Sequence, residues 1–460
     1  MADKEKPAEA KLTHGSIAGH LFKQTAPITL GIFAIMSIGI IDAYFVGQLG
    51  PAELAAISFI FPVTTALSSL GVGVIAGTSS VVSRALGAGE DGRAREYGNL
   101  GIVLAIAIGL AVTALLYVLR MPLFRLMEAE GEVLELIDAY MVPFTLGFPL
   151  LLAVMGCNGV LRGQGAAKRS TVILLTFAAA NWVLDPILIG GGFGFSGFGI
   201  RGAAYATVAG WALGVIMAFV LLQRSQIRFA PRYLFRCNWR EGTQALGRVA
   251  GPAALSNSIN PVGLAVLTSL IAAQGAGAVA GFGVGGRLQT FAVVPLLGLS
   301  SSIGAIVGQN WGADEEGRAR LALVQAGGFC IAYGLLAALV LIMYRDTFAG
   351  MFSNDRATVD AAVRYLEIAV WGYAGYGVLI VVNGALNAID RATLALLLSA
   401  GRVLLVMVPF ALLLRGSWGA DAIYFAELAS NLAGAAAALI AGALVFGLLC
   451  TKTPASSSPA

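Results

Sequence analysis

The sequence predicts an all-α integral membrane protein, with twelve transmembrane helices in two six-helix lobes related by a pseudo-two-fold axis along the membrane normal. Hydrophobic residues make up 58% of its 460 residues and charged residues only 12%, and the mean hydropathy is +0.83. A soluble chain carries about twice that share of charge. Apolar runs long enough to cross a bilayer recur along the chain, and one nine-residue stretch returns 225 residues later.

Each long apolar run is predicted to be one membrane span. Several exceed the roughly 20 residues that a bilayer requires, which indicates tilt or extension beyond the lipid. The twelve predicted spans, numbered in chain order, are residues 24–48, 54–83, 96–119, 133–160, 170–190, 202–223, 247–272, 279–308, 321–343, 358–388, 393–414 and 421–449.

An internal repeat sets the arrangement of these spans. Gly87–Arg95 returns as Gly312–Arg320 with seven of nine residues identical, and the same shift pairs Pro27 with Pro252 and Tyr140 with Tyr365. Six spans in each copy is an even number, so both copies enter the membrane from the same side, as in a parallel repeat. The expected division is a cytoplasmic tail at 1–20, an N-lobe at 21–224, a cytoplasmic linker at 225–246, a C-lobe at 247–450 and a tail at 451–460.

Positive residues predict the orientation. With the N-terminus inside, the inner segments hold 21 of the 29 lysines and arginines, Arg402 included, the outer segments hold seven, and only Arg287 falls within a span. This bias predicts that both termini are cytoplasmic, in the inner (cytoplasmic) membrane of a cell. The formal charge of +4 therefore reflects topology rather than nucleic-acid binding. The first sixteen residues are polar and are expected to be disordered.

Several functional classes are excluded by what the chain lacks. There is no Gly-Lys dipeptide, so no Walker A loop can form, and we expect gradients rather than ATP or an ATPase subunit to drive transport. The four cysteines have no metal-ligand spacing. The clustered aspartates that an intramembrane prenyl transferase needs are absent, and we expect no enzyme and no cofactor. A doubled lobe with acids in one half argues against a passive channel.

Acidic residues within the spans are the main functional signal, because a charge at mid-membrane is costly. Asp42 in span 1 and Asp185 in span 5 are predicted to share a layer with Asn181, Thr207 and Tyr140. Their oxygens suit Na⁺, whereas two close, desolvated carboxylates share a proton more readily than both ionise. The residue types leave the choice between H⁺ and Na⁺ open. The alternative is that both aspartates only pair with hydroxyls to fix helix packing.

The C-lobe has no equivalent pair of acids. The 225-residue shift places Leu267 and Phe410 opposite the two aspartates, so ion coupling is expected in the N-lobe alone. Glu367 is predicted to be interfacial, and Glu427 to serve helix packing. For Arg287 in span 8 a packed structural contact is favoured over a gate.

Four sequence motifs stand at the ends of predicted spans: Val46–Gly50 with Leu54–Ala56, Asn158–Gly165, Gly202–Thr207 and Val307–Ala313. Together they resemble motifs of the multidrug and toxic compound extrusion (MATE) family of transporters. Asp42 together with Asn181–Pro186 resembles the DinF branch, whereas the acids that mark span 7 of the NorM branch are replaced by Asn260 and Pro261.

The resemblance implies a secondary antiporter that exports bulky, mostly cationic organic compounds, such as drugs, in exchange for H⁺ or Na⁺ by a rocker-switch motion. It implies an ion site, including any Na⁺, at Asp42, Asn181, Asp185 and Thr207 beside Tyr140, with Pro27 as a hinge in span 1. We expect a lipid-embedded monomer with an apolar cavity between the lobes. The N-lobe residues expected to line that cavity are Asn158, Asn181, Met36, Met155 and Trp182.

The alternative function is a flippase for lipid-linked or polysaccharide precursors, which shares the wider fold. A pyrophosphate group requires a cationic cavity, and the predicted spans offer Arg287 only.

Overall fold

Twelve long apolar helices dominate the computed structural model, which describes residues 8–192 and 196–447. Predicted tail residues 1–7 and 451–460, and Cys450, lie outside the described residues. Short helices at Arg232–Arg236 and Arg345–Gly350 join spans. Spans 1 to 12 are Ile17–Gly47, Pro51–Gly87, Asp91–Leu126, Gly131–Gly163, Ala167–Gly190, Ile200–Gln223, Trp239–Gln274, Ala276–Gly312, Glu316–Met343, Arg356–Ala388, Ala392–Trp418 and Asp421–Val445.

The turns between spans repeat with the sequence. Positive φ angles occur at Gly89 (72°) and Gly165 (73°), after spans 2 and 4, and at Asp314 (57°) and Asp390 (66°), after spans 8 and 10. Each pair is separated by the 225-residue shift. The left-handed conformation is open to Gly and is tolerated by Asp, whose short polar side chain bonds locally. The repeat therefore preserves backbone geometry even where the residue type has changed.

Helix packing repeats in the same way. Within the N-lobe, span 1 packs on span 5, spans 2, 3 and 6 pack on span 4, and span 5 packs on span 6. The C-lobe has the corresponding pairs: span 7 on 11, spans 8, 9 and 12 on 10, and span 11 on 12. Spans 4 and 10, at the centre of their lobes, are the most buried of the twelve. Two six-helix units of one design therefore form the bundle.

The two lobes touch at the end of the bundle where span 1 begins, which we call the terminal face. Gly87 lies against the backbone carbonyl of Gln309, and Gly312, its repeat partner, lies against that of Arg84. The contact is reciprocal, as a two-fold axis requires. Further into the bundle, Gly73 packs against span 7. Small residues let these helices approach closely.

The N-terminal segment covers this closed face. Leu12 is 2% exposed. Its N–H donates to the side-chain oxygen Oε1 of Gln309 (3.0 Å), and its carbonyl accepts from the side-chain amide of Asn310 (3.1 Å). On the N-lobe side it packs against Gly165, and the N–H of Ala8 donates to Asp91 (2.7 Å). The expectation of a disordered segment is wrong for residues 8–16, because their backbone groups are hydrogen-bonded to both lobes.

The lobes also meet further into the bundle, where Asn257 of span 7 donates to Ser69 of span 2 at 3.1 Å. Nearer the opposite face, Phe61 of span 2 is 67% exposed. It lies eleven residues before Val72, on the same helix face, and Val72 lines a cavity between the lobes. From these positions we infer a cleft between the lobes that opens at the opposite face and closes at the terminal face.

Candidate functional site

A polar cluster occupies the N-lobe core beside this cleft. Asp185 is fully buried in span 5, and its carboxyl faces that of Asp42 from span 1. Apart from each other, the two carboxyls have no hydrogen-bond partner among the described residues at either oxygen of Asp185 or at Asp42 Oδ1. A buried carboxylate without other donors is strongly disfavoured. Such a pair is suited to a shared proton or a bound cation, and its role as an ion site stays a prediction.

Neutral oxygens complete the cluster. Asn181, one helical turn before Asp185 and fully buried, donates to the Phe177 carbonyl (3.1 Å) and accepts from the Thr207 hydroxyl (3.4 Å). Its amide oxygen is thereby turned towards span 6. The buried Tyr140 side chain of span 4 lies beside Thr207 and next to both carboxyls. The structure brings together all five residues predicted for the ion site, from spans 1, 4, 5 and 6.

The side chains predicted to bind substrate differ in burial and in the residues that they contact. Asn158 is fully buried and accepts from Ser170 (2.7 Å), and Met155 packs against Gly71 of span 2. Met36 is half-buried. Trp182 is 42% exposed and donates to Ser37 (3.0 Å), while Asn181 belongs to the ion cluster. Their role as a substrate site stays a prediction.

The C-lobe acids differ in kind from the N-lobe pair. Glu427 is buried and accepts from Gln289 and from the Tyr365 hydroxyl (3.1 Å), so its oxygens are satisfied. Tyr365 is the repeat partner of Tyr140, and each lobe thus places this tyrosine beside a buried carboxyl. Glu367 pairs with Arg345 (3.5 Å) and Arg364 (3.3 Å) near the opposite face.

Arg287 does not have the packed structural contact that the sequence favoured. Its side chain is exposed on span 8, and the described part of the chain gives it no hydrogen-bond or ion-pair partner. That expectation is wrong, because the residue points away from the interior of its lobe.

Arg402 is a buried charged residue that sequence reasoning misplaced. It was expected on the inner side of the membrane, but it is 5% exposed within span 11, where the helix widens into a π-helical segment at Arg402–Met407. The sequence does contain a signal for this position. Residue 402 falls inside the predicted span 393–414, and a lone charge in an apolar run indicates a buried charged residue within the membrane. Arg287 is therefore not the only arginine within a span.

Arg402 lies at the wall of a cavity of about 140 Å³ at the base of the cleft. Its guanidinium donates to Asn431 and Asn260 and lies 5.2 Å from the centre of the Tyr376 ring. Most of the wall comes from spans 7, 8, 10 and 11, and Val72 and Ala76 of span 2 close it from the N-lobe. Further polar wall residues are Ser256, Asn257, Ser300, Asn383, Asn387 and Ser399. None of the five residues predicted to bind substrate lines this cavity.

Comparison with known proteins agrees with this architecture. The MatE family model matches residues 27–187 and 252–413, two blocks whose starts are separated by the repeat shift of 225 residues. The chain belongs to the MatE family.

Curated MatE relatives match over nearly their whole length. A protein of Shewanella oneidensis named FAD transporter is 34% identical over 398 residues, covering 85% of this chain and 87% of the relative. Multidrug export protein MepA of Staphylococcus aureus is 25% identical over 423 residues, covering 90% and 91%.

The MatE fold is also seen in solved structures. The bent form of the Vibrio cholerae MATE transporter VcmN has a TM-score of 0.87 and 27% identity, covering 94% of this chain and 97% of that one. The predicted fold class and the predicted family are confirmed. The chain is a multi-pass membrane transporter rather than an enzyme, as expected from its sequence.

Proposed function

We propose that this MatE protein is a secondary antiporter, in which H⁺ or Na⁺ entering through the N-lobe drives the export of a bulky organic compound. The observation that carries the proposal is the pair of facing carboxyls, Asp42 and Asp185, whose buried oxygens lack other donors. Both carboxyls lie in the N-lobe, beside the cleft between the two lobes.

The coupling follows from the cost of that burial. Without a cation the facing carboxylates repel each other in a poorly solvated site, and a proton or a sodium ion removes the cost. Na⁺ would have the carboxylates, the Asn181 amide and the Thr207 hydroxyl as oxygen ligands, and a proton would need only the carboxyls. If the ion and the organic compound favour different arrangements of the lobes, loading one releases the other.

Span 1 links the ion site to the lobe contact. It is one continuous helix through Pro27, where the ring removes a backbone hydrogen bond that an ordinary residue would make. Pro27 lies on the terminal-face side of Asp42, close to the point where Thr25 bonds Ser302 of span 8 (2.7 Å). Bending at Pro27 when the ion binds would break this contact between the lobes.

Orientation gives the exchange its direction. With Arg402 moved into span 11, the sequence assigns twenty lysines and arginines to the predicted inner segments and seven to the outer ones, so both termini are proposed to be cytoplasmic. The described cleft then opens outward. A potential of 100 mV supplies about 2.3 kcal/mol per charge, enough for roughly a fifty-fold gradient. One monomer holds the complete pathway between its lobes.

The test uses purified protein in liposomes, with a pH gradient and a sodium gradient imposed in separate experiments. Asp42→Asn and Asp185→Asn should each abolish gradient-driven transport of a fluorescent organic compound while leaving protein yield unchanged. Glu427→Gln is the matched control, because it neutralises an equally buried carboxyl in the other lobe. The amide keeps one acceptor for Tyr365, and Gln289 can rotate its own amide to match. Uphill transport that survives in both aspartate variants would rule out the proposed coupling.

A further inference from the structure

The polar cavity around Arg402 is separate from the ion site proposed above, since most of its wall comes from the C-lobe. We propose that Arg402, held by Asn260 and Asn431, binds the anionic phosphoryl group of an aromatic organic substrate, so that this antiporter exports an anionic compound of the dinucleotide class. The inference rests on the proposed export function and names its substrate. It replaces, for this chain, the expectation of a mostly cationic substrate.

The hydrogen bonds of Arg402 leave room for such a ligand. A guanidinium has five N–H donors in a planar fork. Asn431 and Asn260 each accept from one Nη atom, and the buried Nε has no partner in the described part of the chain. The two amides therefore fix the plane of the fork without using all of its donors. A fixed arginine fork matches phosphoryl and carboxylate oxygens in pairs.

The charge of Arg402 is also left without a direct counter-ion. Glu427 of span 12 acts on it electrostatically, but the Glu427 oxygens accept from Gln289 and Tyr365 instead. A buried cation held only by neutral amides and an aromatic ring is costly in the absence of an anion. An anionic ligand in the cavity would remove that cost, whereas a cationic one would increase it.

Local packing shows that this position is built for the arginine. A Cβ on Gly434 of span 12 would lie 2.9 Å from Arg402 Cδ, and one on Gly263 of span 7 would lie 2.9 Å from Val403 Cγ1. The two glycines make room for the side chain and for the π-helical turn that carries it. Such turns inside α-helices are frequent at functional sites.

The size of the cavity fits one charged group. Its volume of about 140 Å³ is below the roughly 300–1,000 Å³ of a site for a whole drug-sized molecule, so the rest of the substrate would lie in the cleft. Val72 and Ala76 of span 2 complete the wall from the N-lobe. Because both lobes contribute, the site changes when the lobes move, as a transported group requires.

The same phosphoryl chemistry could come from a soluble nucleotide or from a lipid-linked pyrophosphate. The soluble source is favoured because the cavity lies at the base of the cleft between the lobes, and because a relative over 85% of this chain is named FAD transporter. FAD combines an aromatic ring system with a pyrophosphate. Riboflavin has the same ring system without phosphate and is the natural comparison.

The test measures binding of FAD and riboflavin to detergent-solubilised full-length protein, by quenching of flavin fluorescence. Arg402→Gln should raise the Kd for FAD by about 10- to 100-fold, the range expected for a lost charge-assisted contact, and should leave the Kd for riboflavin unchanged. Arg402→Lys should fall between, because it keeps the charge and loses the fork. Arg415→Gln is the matched control: it removes an exposed arginine from the same span and should bind FAD like the unmodified protein.

Equal FAD binding by the Arg402→Gln and Arg415→Gln proteins would overturn the inference. Binding of a lipid-linked pyrophosphate to the protein in vesicles that FAD does not displace would also overturn it. That result would identify a flippase. If Arg402→Gln does not fold, the Arg402→Lys protein still decides, because an unchanged preference for FAD over riboflavin counts against the site. FAD binding is measured without an ion gradient. Loss of exchange in the aspartate variants therefore tests the proposed function, whereas loss of FAD binding in the Arg402 variants tests the proposed substrate site.

Discussion

A single methyl group at the lobe contact should shift the transporter out of the described state. Gly73 of span 2 faces span 7 at the closed terminal side, where an added Cβ would lie 2.7 Å from the Cβ of Ala254 and closer still to the carbonyl oxygen of Ala250. Ordinary contact begins near 3.4 Å. The nearer contact, to the Ala250 oxygen, is about 1 Å shorter than this distance, so in Gly73→Ala the two helices must separate by about 1 Å. Overpacking of this kind costs about 1–3 kcal/mol.

In the proposed exchange that cost falls on one state only, because the lobes separate at the terminal face in the alternate state and release the contact. The penalty should therefore shift the equilibrium by about 5- to 150-fold towards the alternate state. Phe61, 67% exposed in the cleft at the opposite face, reports on this shift. A cysteine in its place should react severalfold more slowly with a membrane-impermeant maleimide in the Gly73→Ala background. The described native cysteines, Cys157, Cys237 and Cys330, are buried.

Gly251→Ala is the matched control, since that glycine lies on span 7 with nothing within 4 Å of an added Cβ. It adds the same methyl group to the same pair of helices, on a free face. Equal labelling rates in the two backgrounds, with both proteins folded, would refute the idea that close approach at Gly73 holds the terminal face closed.

Two further substitutions test neighbouring features. Leu12→Asp should weaken the packing of residues 8–16 against the two lobes, because it places a charge where the side chain is 2% exposed. A reagent should then enter the protein faster from the terminal face. Unchanged access would show that residues 8–16 do not close this face. Arg287→Gln should leave the Tm unchanged, because the exposed side chain has no partner in the described ranges; a clear fall in Tm would restore the packing role favoured from the sequence.

The spans, the repeat and the acidic cluster could be predicted because each leaves a strong one-dimensional signal. Long apolar runs mark spans, a constant shift marks duplication, and charges such as Asp42 and Asp185 stand out where charge is rare. Helical spacing then placed Asn181 on the face of Asp185.

The polar cavity could not be predicted in the same way. Asn383 and Ser399, which bond each other at 2.9 Å, are neutral residues of a kind that also occurs in ordinary packing contacts between spans. The arrangement of the lobes determines which face of an apolar helix lines a cleft. The hydropathy of a single span does not predict that arrangement. The packing of residues 8–16 was not predicted for a related reason. A polar composition predicts exposure, whereas Leu12 is buried by contacts to helix ends and a turn far away in sequence, including Gln309 and Gly165.

The opposite charges of the two lobes make one last prediction, on electrical driving force. The repeat shift places Phe410 opposite Asp185 and Phe177 opposite Arg402, so duplication gave two equivalent scaffolds and the lobes then diverged in charge. Entry of one cation with export of one negative charge moves two charges across the membrane, worth roughly 4.6 kcal/mol at 100 mV. One-for-one exchange with a cationic drug moves none.

An inside-negative potential, set by a potassium gradient with an ionophore, should therefore accelerate export of an anionic substrate from liposomes when no pH or sodium gradient is present. Export that is indifferent to that potential would mean that the exchange moves no net charge, which contradicts cation entry coupled to anion export, and the role assigned to Arg402 in transport would fail with it.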